Sequence, residues 1–156
     1  MSFHTLTAHI LTNVVKIMHN CDYFSIKEFL VDRVMTTVPV HVVDKIERFH
    51  KPIINPIRHK LRMPIYVSGN SGYRSREWEL EHGRKGDSEH TFIGLGAVDY
   101  TCEDMDALLH ELRLSDYKRV CYYPHKRFIH CDHYGDRYHE FEANEAGVWQ
   151  YKGERR

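Results

Sequence analysis

The four cysteines, Cys21, Cys102, Cys121 and Cys131, form no C-x-x-C pair. That spacing excludes a zinc ribbon and a thioredoxin-type redox motif. No apolar run approaches the roughly 20 residues that a membrane-spanning helix needs. Neither sign of charge is in excess: 22 Lys+Arg balance 22 Asp+Glu, and the sequence pI is near 7.2. A strongly basic nucleic-acid binder is therefore not expected, and no aromatic-basic stripe supports a metal nuclease. The N-terminus lacks the Lys/Arg start of a signal peptide, and Lys16 falls where an apolar stretch should continue. The chain also lacks internal repeats, low-complexity tracts and a recognisable linker.

What remains is a 156-residue chain with 42% hydrophobic and 28% charged residues. That length and balance predict one domain over 1–156 with a core of its own, including an N-terminal extension over 1–22 and a frayed tail over 152–156. Free thiols suit a reducing compartment, with a Cys121–Cys131 bridge as the alternative. Histidine is unusually frequent, at thirteen residues. It ligates metals and moves protons near neutral pH, so its spacing matters more than its count.

Helical periodicity predicts a short amphipathic helix within 1–22. Ser25 and Glu28 form a capping-box pattern that predicts a helix start. Residues 39–61 carry Val43, Ile46, Phe49/His50, Ile53, Ile54, Ile57 and Leu61 on one broad face, with Pro52 and Pro56 expected to kink or split the helix. His50 and His59 read there as surface residues. Pro64–Val67 and Gly96–Tyr100 read as strands, residues 75–83 and Met105–Leu112 as helices. Arg119–Tyr123 and Phe128–Asp132 predict a hairpin across Pro124–Arg127, placing Cys121 opposite His130 as a packing residue. A last strand is expected over Val148–Tyr151. Helices first and strands around one helix later predict an α+β domain.

Three segments carry candidate chemistry. Strand alternation puts His130 and Asp132 on one face, with Ile129 and Cys131 on the other. His90 lies in a loop nine residues before Asp99, which sits on the next strand. Together His90, Asp99 and His130 make a set suited to zinc with a fourth position for water, a site that generates hydroxide near neutral pH and polarises a carbonyl. His125 and His133 read as surface residues.

The ordered pattern S-G-Y-R-S (71–75), S-x-H (88–90), G-A-V-D (96–99), Y-Y-P (122–124) and F-I-H-C-D (128–132) resembles the M15 family of zinc peptidases, over about Phe24 to Asp132. The resemblance implies a small antiparallel sheet flanked by helices, the Hedgehog/DD-peptidase-like α+β fold. It implies Zn2+ held by His90, Asp99 and His130, and Arg74 on a substrate carboxylate or carbonyl oxygen. Ser88 resembles the serine that braces the first-ligand loop, and Ser88 and Tyr73 join Arg74 as candidate substrate contacts. The implied activity is hydrolysis of an amide in peptidoglycan stem peptides, by a carboxypeptidase or endopeptidase without a nucleic-acid or membrane partner. The setting it implies is a phage endolysin in the host cytoplasm, released at lysis, or a virion part. The alternative is a non-catalytic, zinc-stabilised binding or structural module. Two departures stand out. The His90–Asp99 step exceeds the usual seven residues of the family by two, so Phe92 to Leu95 are expected to bulge outward. Arg127 occupies the position of the E-x-x-H glutamate, which leaves Asp132 either as general base or as the group that orients His130.

Overall fold

The computed structural model describes residues 22–31, 37–69 and 71–154. The helix expected within 1–22 lies outside the described residues, apart from Asp22. The architecture is α+β, as expected: a six-stranded sheet with helices packed on it. Its strands are β1 (Ile65–Val67), β2 (Ala97–Cys102), β3 (Arg119–Tyr123), β4 (Phe128–Asp132), β5 (His139–Ala143) and β6 (Trp149–Glu154), in the spatial order β1-β2-β4-β3-β5-β6. Every neighbouring pair is antiparallel except β3–β5, which is parallel.

The capping box forms, with Ser25 N donating to Glu28 Oε2 at 2.7 Å, but it opens only a 3-10 turn, Ile26–Phe29. The chain then leaves the helix because Leu30 bridges to Tyr73. Residues 40–61 make one kinked helical rod: α1 (Val40–Lys45), a π turn (Ile46–His50) and α2 (Lys51–Leu61). Pro52 has no N–H, so the carbonyl four residues before it loses its usual donor. The π turn absorbs that defect, with Lys51 N donating to Ile46 O across five residues. Pro56 is accommodated inside α2. The short helix α3 (Arg76–Glu81) is capped by Ser75, whose hydroxyl accepts from Trp78 N. Helix α4 (Met105–Leu114) is capped by Asp104 and buries Met105, Leu108, Leu109 and Leu112 on the sheet. Each such leucine contributes about 1.5–3 kcal/mol of burial.

Alternation along the central strands separates two faces. Val98, Tyr100, Val120, Ile129 and Cys131 face the core beneath α4. Asp99, His130, Cys121, Asp132 and Arg119 occupy the intervening positions and point to the other face. Register aligns them in rows: Asp99 beside His130 beside Cys121, and Ala97 beside Asp132 beside Arg119. Cys102, Cys121 and Cys131 are free and buried, so the alternative of a Cys121–Cys131 bridge is not taken. One sequence expectation fails at the C-terminus. Lys152, Gly153 and Glu154 belong to β6 rather than a frayed tail, because Glu154 and Gly153 pair with β5. Strand β5 itself had no forecast.

Candidate metal centre

Asp99 and His130 are cross-strand neighbours on β2 and β4, so the backbone ladder alone brings them together. Asp99 Oδ1 and His130 Nδ1 are 2.8 Å apart. His90 arrives from above on the 3-10 turn Glu89–Thr91, with its Nε2 3.5 Å from the same oxygen. One ligand-type atom from each of the three residues lies within 4.8 Å of the others, and all three side chains are buried. The sequence-predicted triad is therefore assembled.

The far side of each imidazole is also engaged. His90 Nδ1 lies 3.0 Å from Gly72 O. A carbonyl only accepts, so Nδ1 carries the proton and Nε2 keeps its lone pair toward Asp99. His130 Nε2 lies 2.8 Å from Asp132 Oδ2, which leaves Nδ1 turned toward Asp99. Metal-binding histidines characteristically carry such outer partners, which fix the ring and its tautomer. Two imidazole nitrogens and one carboxylate oxygen, each aimed inward, suit a divalent metal ion.

The electrostatics agree with this geometry. Burial pushes the Asp99 carboxyl up, but the His90 and His130 imidazoles beside it outweigh that and hold it well below the ordinary carboxylate range. Burial pulls His130 down, yet hydrogen bonds to Asp132 and Asp99 raise it to about 9. A proton at Nδ1 thus answers the lone pairs that a cation would otherwise share, and metal binding there releases it. Cys121, opposite His130, is pushed up to about 12 by burial and stays a thiol at neutral pH.

Asp132 is fully buried. Its Oδ2 accepts from Arg119 Nε at 2.8 Å, Arg119 Nη2 at 2.6 Å and His130 Nε2, while Oδ1 accepts from Tyr134 N at 2.8 Å. Both oxygens are occupied, on the side of the imidazole away from Asp99. Of the two roles open to Asp132, this arrangement supports orienting His130.

Arg74 is buried, with Nη1 3.3 Å from Glu79 Oε1 and its guanidinium carbon 5.7 Å from the Trp78 ring centre. Its backbone N–H donates to His90 O at 2.9 Å, which ties the S-G-Y-R-S segment to the turn that carries His90. Burial lowers the Arg74 pKa, opposed by the negative charge of Asp99. Ser88 donates its hydroxyl to Glu79 Oε1 at 2.5 Å and so braces the turn that holds His90. Tyr73, a sequence candidate for substrate contact, is drawn into the core, with its ring edge-on to Phe92 at 5.9 Å.

Three residues of the site escaped the sequence reading. Arg119 was within reach, because the register that pairs Cys121 with His130 also pairs Arg119 with Asp132. Glu79 anchors both Arg74 and Ser88 while its Oε2 is buried without a hydrogen-bond partner among the described residues, and no spacing rule pointed to it. Trp149, on β6, sets its ring 5.3 Å from that of His130. His50 and His133 were read as surface residues. His50 is fully buried, and half-buried His133 lies with Nε2 3.2 Å from Phe49 O and its ring packed on Tyr117.

A family model described as Peptidase M15 matches residues 22–132, a span that holds His90, Asp99, His130, Asp132 and Arg74 and stops before β5. No curated protein matches the chain.

Proposed function

The chain belongs to the Peptidase M15 family, and from that premise we propose that it is a zinc-dependent peptidase that hydrolyses an amide bond in peptidoglycan stem peptides. The observation that carries the reading is the convergence of His90 Nε2, Asp99 Oδ1 and His130 Nδ1, with each imidazole held by a partner on its far side. Zinc bound by these residues supplies Lewis acidity, which polarises a carbonyl and makes water nucleophilic near neutral pH.

The chain's own residues do the rest. Gly72 O and Asp132 fix the two imidazoles so that His90 Nε2 and His130 Nδ1 face the position an ion would take. Arg119 keeps Asp132 ionised: burial raises that carboxyl, while His130 and Arg119 outweigh burial and lower it. Arg74 binds the substrate carboxylate or the carbonyl oxygen on which negative charge develops during attack, a task suited to a planar, fixed cation. Glu79 and Ser88 hold Arg74 and the His90 turn in mutual register. The stem-peptide substrate extends from the family resemblance and the presence of Arg74.

Purified sacculi incubated with the protein provide the test. Soluble peptide fragments are expected to appear, to stop appearing after chelation, and to return when zinc is restored. Equal release with and without chelator removes the metallopeptidase reading. No release under any condition, with zinc bound, leaves the non-catalytic wall-binding module instead.

A further inference from the structure

Asp99 follows the other ligand, His90, by nine positions, and the loop between them has to hold both at one ion. Ile93, Gly94 and Leu95 of this loop are exposed. Phe92 turns the other way: it adopts a left-handed conformation (φ 58°) and is fully buried, its ring 5.4 Å from His50 and 5.9 Å from Tyr73. Gly96 (φ 96°) leaves the space that this ring fills.

The loop carbonyls are gripped by the kinked helix. Lys45 Nζ donates to Phe92 O at 2.6 Å and Ile93 O at 3.4 Å. His50 Nε2 lies 3.0 Å from Leu95 O. Because that carbonyl only accepts, Nε2 carries the proton and His50 Nδ1 accepts from Tyr117 Oη at 3.0 Å. Tyr117 Oη in turn accepts from Tyr100 Oη at 2.8 Å. The hydrogen-bond chain thus begins on Tyr100, the residue after Asp99, and ends on Leu95, four residues before it. Burial pulls His50 down to about 3, so it is neutral and keeps these donor and acceptor roles at ordinary pH.

The π turn makes the double grip geometrically accessible. In an α-helix, residues five apart point about 140° away from each other at 100° per residue. Bonding across five residues brings Lys45 and His50 into line toward one loop, and π turns recur at functional sites.

We infer that Lys45 and His50 are positioning residues for the metal centre: the π turn that aligns them clamps the Phe92–Leu95 bulge and thereby sets the distance between His90 and Asp99. This rests on the metal-site reading above. It concerns neither a ligand nor a group that touches substrate.

Three variants test it by zinc affinity, from competition with a chromophoric chelator, and by the visible spectrum of the cobalt-substituted protein, with circular dichroism checking the fold. His50→Asn keeps an amide near the Nδ1 position and loses reach to Leu95 O. His50→Gln places its amide nitrogen near Nε2 and restores that reach. Lys45→Met removes the other grip from a half-buried position. His50→Asn and Lys45→Met are expected to bind zinc about 10-fold more weakly or worse, the effect of losing an outer partner, with an altered cobalt spectrum. His50→Gln is expected to return close to the parent on both readouts. Parental affinity and spectrum in His50→Asn and Lys45→Met overturn the clamp while the metal site stands. Failure of the parent itself to bind zinc overturns both. If His50→Asn does not fold, Lys45→Met decides alone.

Discussion

His130 donates hydrogen bonds from both ring nitrogens to carboxylates, and the two carboxylates play different parts. Asp99 shares its oxygen with His90, whereas Asp132 is locked by Arg119 and Tyr134. Asp132→Asn is therefore expected to weaken zinc binding about 10- to 100-fold, the usual effect of losing an outer-shell carboxylate. The same variant separates the two roles left open by the sequence. Parental zinc affinity with hydrolysis abolished would point to a general base instead. His50 yields a second prediction, on stability. Its folded pKa lies near 3 because burial outweighs its hydrogen bond to Leu95, against the ordinary imidazole value of 6.5. Between those values the unfolded chain holds the extra proton, so this residue's contribution is complete above about pH 6.5 and is lost as pH falls. The slope approaches about 1.4 kcal/mol per pH unit. Urea unfolding of the parent and His50→Gln across pH 7 to 4.5 checks this: the parent should lose stability more steeply, and parallel curves contradict the assignment. The His130–Asp132 alternation and the hairpin register were legible in sequence because strand side chains alternate strictly. The burial of His50 was not, because a π turn rotates every later residue and Pro52 is its only local sign.

At the scale of elements, the sheet and α4 were legible because their apolar residues repeat with simple periods. Strand β5 was hidden for a physical reason. His139–Ala143 is mostly half-buried and polar, and it is held by parallel pairing to the distant strand β3. Local alternation does not report such pairing. The 3-10 turn at Ile26 was mistaken for a helix because a capping box signals a start and says nothing of length. The bulge between the ligands behaves as expected at Ile93 to Leu95, but Phe92 folds inward as a plug. Gly96→Ala tests that plug. A Cβ there would lie 2.4 Å from the Phe92 ring at a backbone angle that disfavours side chains. The loss is expected to be about 2–4 kcal/mol in denaturant titration, combining overpacking with backbone strain. A change within about 0.5 kcal/mol, the range of an ordinary surface substitution, would mean that the loop is free to move aside.

At the scale of the molecule, the family match ends at Asp132, yet the sheet continues through β5 and β6. That extension lays Trp149 against His130, and the Arg119 guanidinium lies 5.1 Å from the centre of the same indole ring. The C-terminal hairpin thus borders the centre at His130, while the kinked helix holds the loop between His90 and Asp99. Since the three proposed ligands come from a 3-10 turn and two strands, metal binding is expected to couple to folding of the whole. Free zinc at 100 times its dissociation constant is expected to add about 2.7 kcal/mol of stability, read as a rise in Tm that chelation reverses. The central claim is tested most directly by anomalous scattering at the zinc edge from crystals of the zinc-loaded protein. A single peak is predicted within about 2.0–2.2 Å of His90 Nε2, Asp99 Oδ1 and His130 Nδ1 together. No peak there, with Asp99 still hydrogen-bonded directly to His130, would contradict the account.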